Sequence, residues 1–217
     1  MGKRAWELFG TRDETCRIKL CGMFRDEDAD AVSAVRPDLC GFVYGFPKSH
    51  RNVDLATLAR LRSRVDEQVV STMVVVDLAA TEVADAANHA LVDVVQLHGH
   101  EDDAYIAKLR SRFSGPIIQA FCIRSEKDVE RALASDADMV LLDAGQGSGK
   151  VFDWSLIERF STRRPYILAG GLTPENVGEA VHALRPWGVD MSSGVETDRR
   201  KDRRLMAAAV AAVRSAI

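Results

Sequence analysis

No stretch of this 217-residue sequence approaches the roughly 20 consecutive apolar residues of a membrane helix, which argues against a helical span. Met1 to Cys16 is mixed and charged and lacks the apolar core of a secretory signal, so the expectation is a cytoplasmic protein. The four cysteines, Cys16, Cys21, Cys40 and Cys122, include no CxxC pair. That spacing fits reduced thiols better than a zinc site or a disulfide framework. Charge of one sign is also missing. Lys and Arg number 29 against 32 Asp and Glu, a formal net charge of −3, which gives no reason to expect nucleic acid or an anionic membrane as partner. No Pro/Gly/Ser-rich linker divides the chain, and its length suits one domain with a large core.

What the sequence does have is a repeated alternation. Eight short apolar, mostly β-branched runs occur at 17–21, 39–44, 69–76, 92–97, 116–121, 139–143, 166–169 and 189–192. Runs this short and this apolar fit strands buried on both faces. Between them lie helix signals. Thr173 and Pro174 form a cap and first-turn pair ahead of Val177, Val181 and Leu184. Ser125 with Asp128 resembles a capping box before Val129 and Leu133, and Asp153 can cap a helix around Leu156. Met206, Val210, Val213 and Ile217 make an apolar stripe on a last helix. Strand and helix alternating eight times imply parallel strands with right-handed crossovers. The expected fold is α/β, a single (βα)8 TIM barrel over 17–217 preceded by an N-terminal extension, 1–16. An open doubly wound sheet is the structural alternative. In a barrel the loops after the strands form the functional rim.

Distinctive residues stand at six strand ends. They are Lys19-Leu20-Cys21-Gly22, the loop Phe46-Pro47-Lys48-Ser49-His50-Arg51, Gln96-Leu97-His98-Gly99, Leu142-Asp143 with the glycine-rich 145–150, Gly170-Gly171-Leu172, and Asp190-Met191-Ser192-Ser193-Gly194-Val195-Glu196. The last two loops form a chemical pair. Glycines let backbone N–H groups approach and turn toward an anion, and helix N-termini after the seventh and eighth strands are a recurring phosphate site in barrels. These glycines could serve only tight turns, but two such loops on adjacent strands favour a phosphorylated substrate.

In this order and spacing, these motifs, together with Gly149-Lys150, Phe152-Asp153-Trp154 and Lys201-Asp202, resemble the phosphoribosylanthranilate isomerase family of tryptophan biosynthesis over roughly residues 17–215. The resemblance implies an Amadori rearrangement of N-(5-phosphoribosyl)anthranilate to 1-(2-carboxyphenylamino)-1-deoxyribulose 5-phosphate, with no cofactor and no metal. It places the general base at Cys21 and the general acid at Asp143. A free thiol has a pKa near ~8.5, so a base needs it lowered, and an aspartic acid must be neutral to donate. Arg51 resembles the anchor for the anthranilate carboxylate, a group its fork fits in a bidentate pair. Gln96 and His98 resemble rim residues lining the pocket, and Asp190 is placed by analogy near the anthranilate side or its amine. Gly171, Ser193 and Gly194 are the expected phosphate contacts. Trp154 is expected to pack under the loop after the sixth strand, and Glu196 and Asp202 to anchor loops. His50, His89, His100 and His182 receive no role.

The chain departs from the family pattern at four places. Met23-Phe24 is bulkier than the small polar residue usual after Cys-Gly. Gly45-Phe46 lengthens the second loop, and His50 stands where proline is frequent. Thr197-Asp198-Arg199-Arg200 has no glycine where one is common. Residues 1–16 precede the usual start, which leaves open a docked extension, an over-called start or a mobile tail. The histidine-pathway isomerase is disfavoured because it has an aspartate where Cys21 stands and a second phosphate loop where Gln96-Leu97-His98-Gly99 stands. Phosphate-binding epimerases would need metal-ligand histidines or a second acid. Two readings remain as alternatives, a non-catalytic phosphometabolite-binding barrel and a related aminoaldose isomerase with altered substrate. Oligomeric state, monomer or homodimer, is left open.

Overall fold

The computed structural model describes residues 3–11, 13–143, 157 and 164–216. The eight apolar runs are the eight staves of a closed parallel barrel: β1 (Arg17–Cys21), β2 (Leu39–Tyr44), β4 (Val70–Val75), β5 (Val94–Leu97), β6 (Ile117–Cys122), β7 (Met139–Asp143), β8 (Tyr166–Ala169) and β9 (Gly188–Met191). Each pairs in parallel with its neighbours, and β1 closes the ring by pairing with both β2 and β9. The two-residue β3 (Asn52–Val53) pairs with the end of β2.

Strand periodicity sorts the side chains into two cores. Ile18 and Leu20, Cys40 and Phe42, Val140 and Leu142 join the layer between strands and helices. Their alternates, among them Leu39, Val70, Val94, Ile118, Met139 and Ile167, make a separate cluster inside the barrel. The helices over the outer layer are α2 (Asp26–Val35), α3 (Leu55–Arg64), α4 (Ala80–Ala90), α5 (Asp103–Arg110), α6 (Glu126–Ala134), α7 (Val177–Leu184) and α8 (Arg203–Ser215). Aspartates start several of them: Asp54 accepts from the Thr57 amide at 2.7 Å, Asp102 from Tyr105 at 2.8 Å and Asp202 from Arg204 at 2.8 Å. The expected stripe on α8 buries Met206, Val210 and Val213.

Two helix starts differ from expectation in their chemistry. Helix α7 begins at Val177, later than the Thr173 cap implied. Thr173 instead offers its carbonyl to the Asn176 and Val177 amides, and the Asn176 side chain turns back to accept from the Thr173 amide at 2.8 Å. Helix α6 begins after Ser125 as expected, but the Ser125 hydroxyl donates to Asp128 at 2.8 Å, so the carboxylate collects the turn. The expected cap at Asp153, its helix around Leu156 and the packing of Trp154 lie outside the described residues, as do 145–150 and Ile217.

Two elements lie outside the eightfold repeat, the first of them a docked helix in the extension whose state the sequence left open. Helix α1 (Lys3–Gly10) sets Ala5 and Phe9, one turn apart, into the interior cluster. Phe9 meets Trp187 at 5.2 Å between ring centroids, Arg17 lies over the same indole at 5.5 Å, and Trp6 Nε1 donates to the Ser114 carbonyl at 2.9 Å. Helix α1 therefore closes the N-terminal end of the barrel. The second element is a hairpin, β10 (Glu196–Thr197) with β11 (Arg200–Lys201). Its turn takes φ of 51° at Asp198 and 60° at Arg199, the left-handed region where the family's glycine would sit without strain.

Candidate active site

The residues singled out at the strand ends converge on one mouth. A cavity of about 250 Å³ at the C-terminal end of the staves is lined by Cys21, Arg51, Gln96, His98, Asp143, Gly171, Asp190, Ser193 and Gly194. Every expected site residue is thus brought to a single cavity. Apolar walls come from Leu172 and Met191, which stand in the motifs, and from Val43 and Val74, which the motifs did not mark.

Cys21 closes β1 and is buried, 7% exposed, facing the cavity. Burial pushes its thiol up, while the Lys19 ammonium pulls it down and Asp190 pushes it up again. Lys19 shares the interior face of β1 with Cys21, as a regular pleat requires. It forms an ion pair with Asp190 at 3.0 Å, both side chains nearly enclosed. Asp190 therefore reaches the cavity already neutralised on one side, a partner its expected place near the substrate amine did not include.

Asp143 ends β7 and is partly exposed. The ring of His98 sits beside it, Nε2 to Oδ2 at 3.8 Å, while His98 Nδ1 lies 3.3 Å from Gln96 Nε2. Gln96 is 1% exposed, and its buried Oε1 has no hydrogen-bond partner among the described residues. An orphaned acceptor in a cavity wall is a place for a ligand donor, because leaving it unpaired costs free energy.

Arg51 crosses the mouth rather than pointing into it with an open fork. Its Nε and Nη2 make a bidentate pair with Glu196 at 2.6 and 2.7 Å, which leaves the Nη1 edge outside the pair. Glu196 also accepts from Lys201 at 2.7 Å, and Lys201 donates to the Ser192 carbonyl at 2.9 Å. Burial alone would raise the Glu196 pKa, but Arg51 and Lys201 outweigh it and hold the carboxylate at about 2. Gly45, at φ +70°, lies so close to Leu78 that a Cβ would come within 2.5 Å of it, and Asn52 Oδ1 accepts from the Phe46 amide at 2.6 Å. His50, which received no role, stands edge-on to Phe24 and 3.9 Å from Glu196.

Glycine is required at two points of this rim. Gly22 has φ +84°, and a Cβ there would lie 2.4 Å from Arg51 Cδ, so the Cys-Gly pair opens the path Arg51 takes. A Cβ on Gly194 would lie 1.9 Å from the Leu172 carbonyl, so the two glycine loops touch. Gly170 and Gly171 adopt φ of 98° and 65°. Behind them stand the short 3-10 turn Ser193–Val195 and helix α7, and Ser192 Oγ donates to the Cys21 carbonyl at 3.1 Å. Among the described residues, no cluster of His, Cys, Asp or Glu could hold a metal ion, and no helix is long and apolar enough to cross a membrane.

Glu196 anchors the second loop through Arg51 and the hairpin through Lys201, as its expected anchoring role implies, whereas Lys19 and Lys201 stood in the motifs without an assigned role. The sequence signal for Lys19 is its two-residue spacing from Cys21 on a strand.

Comparison with known proteins agrees with this geometry. The family described as N-(5'phosphoribosyl)anthranilate (PRA) isomerase matches residues 18–212. The N-(5'-phosphoribosyl)anthranilate isomerase of Endomicrobium trichonymphae is 39% identical over 204 residues, 92% of this chain and 98% of that protein. The crystal structure of phosphoribosyl anthranilate isomerase from Thermotoga maritima superposes with a TM-score of 0.85 at 35% identity, covering 93% of this chain and 100% of that one. A structure of the isomerase with reduced 1-(o-carboxyphenylamino)-1-deoxyribulose 5-phosphate gives 0.83 at 34% identity, with the same coverage of 93% and 100%. With a family match across nearly the whole barrel and a relative this similar along its full length, the chain belongs to the phosphoribosylanthranilate isomerase family.

Proposed function

We propose that this chain converts N-(5-phosphoribosyl)anthranilate to 1-(2-carboxyphenylamino)-1-deoxyribulose 5-phosphate, with Cys21 as general base and Asp143 as general acid. The observation that carries the reading is the convergence of these two groups, from the ends of β1 and β7, on one cavity that also holds the glycine loops and Arg51. Asp143 protonates the furanose ring oxygen while the amine nitrogen lends its lone pair and the ring opens. Cys21 then takes the proton from C2′, and the enolamine tautomerises to the ketone. Two positioned groups of this kind each contribute on the order of 10²–10⁴-fold.

Gly171, Ser193 and Gly194 hold the phosphate at the loops after β8 and β9. The Nη1 edge of Arg51 takes the anthranilate carboxylate, with Glu196 fixing the plane of the guanidinium. Asp190 faces the amine, and His98 with Gln96 forms the wall beside Asp143. The chemistry uses no cofactor. The chain divides into an N-terminal extension, 1–16, whose helix α1 serves as a cap, and a barrel domain, 17–217, and the protein works in the cytoplasm. Its substrate is a phosphorylated small molecule, and a monomer or homodimer is told apart by light scattering on a sizing column.

The test is loss of anthranilate-type fluorescence when freshly made phosphoribosylanthranilate meets the purified protein. Rapid loss that collapses in Cys21→Ala and in Asp143→Asn supports both roles. Loss that survives Cys21→Ala reassigns the base. A folded wild-type protein with no activity points to the other readings, an altered aminoaldose substrate or a binding-only barrel. The bidentate hold of Glu196 on Arg51 is the feature that would then have closed the carboxylate site.

A further inference from the structure

A lysine that is 1% exposed inside a barrel is a costly choice where an apolar side chain would fill the space. Lys19 sits on the interior face of β1 one pleat below Cys21, and its ammonium is anchored by Asp190 Oδ1 at 3.0 Å. Gly41, paired with Cys21 across β2, reports where the two groups meet. A Cβ on Gly41 would lie 2.7 Å from Cys21 Sγ and 3.1 Å from Lys19 Nζ, so sulfur and ammonium press on the same point. Any larger residue at that position would push them off it.

Among the described residues, few charged groups face Cys21. Its own strand gives Lys19, β9 gives Asp190 and the hairpin gives Lys201. Lys201 is committed to Glu196 and to the Ser192 carbonyl. Strand β2 contributes the Gly41 backbone and, on its outer side, the Cys40 thiol, which burial keeps neutral with a pKa of about 12. Lys19 is thus the cation positioned to answer a charge on the sulfur.

We propose that Lys19 is the positioning residue for Cys21: its ammonium, held by Asp190, is the counter-charge that stabilises the thiolate when the sulfur ionises and aims it into the cavity. This rests on the reading of Cys21 as the base. In that step the thiolate takes the C2′ proton. The C–H electron pair becomes the carbon–carbon double bond of the enolamine, and the iminium nitrogen recovers its lone pair. The sulfur ends as a neutral thiol, and Lys19 then faces Asp190 alone. The direction of the effect follows from the causes: burial raises the thiol and Lys19 lowers it, so removing Lys19 raises it further.

The experiment measures iodoacetamide alkylation of Cys21 against pH, without substrate, in a Cys122→Ser background that removes the exposed thiol. Lys19→Met is expected to move the alkylation midpoint up by about one to two pH units, and Lys19→Arg to return most of that shift. The acidic limb of kcat/KM should move by the same amount in the same direction. If Lys19→Met will not fold, Lys19→Met with Asp190→Asn removes both charges of the pair, and the midpoint should still lie above that of wild type. An unmoved midpoint and an unmoved limb, with kcat/KM nonetheless reduced, would overturn the proposal and leave Lys19 a packing residue. A midpoint that shifts in a protein with no isomerase activity would uphold the Lys19–Cys21 coupling and overturn the base assignment instead.

Discussion

The two ends of the barrel are built from the same inward-facing strand positions and filled in opposite ways. At the N-terminal end Leu39, Val70, Val94, Ile118 and Met139 meet Ala5, Phe9 and Trp187 in one apolar cluster. At the C-terminal end the staves and the loops that follow them present Cys21, His98, Asp143 and Asp190 to the cavity. One end gains free energy by excluding water. The other keeps polar groups that need a ligand, among them a buried Gln96 Oε1 with no partner among the described residues. The difference teaches where substitutions should register: stability at the plugged end, turnover at the open one.

The sharpest way to test that division is to remove the reacting groups. Cys21→Ala and Asp143→Asn should each lower kcat by on the order of 10²–10⁴-fold, measured by fluorescence decay under substrate saturation. Their melting temperatures should stay close to wild type, because Cys21 is small and Asp143 is partly exposed. A variant that loses activity and also melts early would blur the comparison. The converse change is Phe9→Ala. It opens a void between α1 and Trp187 and should cost roughly 3 kcal/mol of stability by urea unfolding, with kcat and KM unchanged. Lost turnover in a folded Phe9→Ala protein would show that the plug reaches the chemistry.

What could be seen in the sequence follows the same division. The eight staves were legible because strands buried on both faces are continuous apolar runs. Cys21, Asp143 and the glycine loops were legible because they stand where those runs stop, and in a barrel that is the rim. Helix α1 was not legible, since its four apolar residues, Ala5, Trp6, Leu8 and Phe9, fall within two turns of a mixed, charged stretch, too short for a helical period to show. The hairpin from Glu196 to Lys201 was hidden for a different reason: its turn lacks the glycine that marks such turns. The reach of Arg51 to Glu196 spans 145 positions and has no local signature at all. The Thr173 cap was misplaced because its carbonyl and its Asn176 partner, rather than its hydroxyl, organise the first turn.

The brace at the open end gives a finer test. Glu196→Gln keeps the shape but loses the charge that holds Arg51 and Lys201, and it should raise KM by about tenfold with a smaller change in kcat. The pH dependence has a definite sign. A carboxylate held at about 2 against an ordinary 4.5 contributes its pairing fully above 4.5 and loses it only as pH falls toward 2. The wild-type KM should therefore stay free of a Glu196 titration down to about pH 4. A rise in KM between pH 6 and 5 that Glu196→Gln abolishes would show a brace weaker than its geometry implies.

The smallest expected effect concerns strain at the same end. Arg199 is exposed and held at φ 60°, where an L side chain costs roughly 1–2 kcal/mol and glycine almost none. Glycine also gives up more freedom on folding, so the net gain from Arg199→Gly should be below about 1 kcal/mol. The turn carries Glu196 and Lys201 on its two strands, and β10 and β11 keep their register in either case. A small rise in urea midpoint with KM unchanged would mean that the strain is incidental to the site. A rise in midpoint accompanied by a higher KM would mean that the strained turn presses Glu196 onto Arg51, and that the open end trades stability for the aim of one guanidinium.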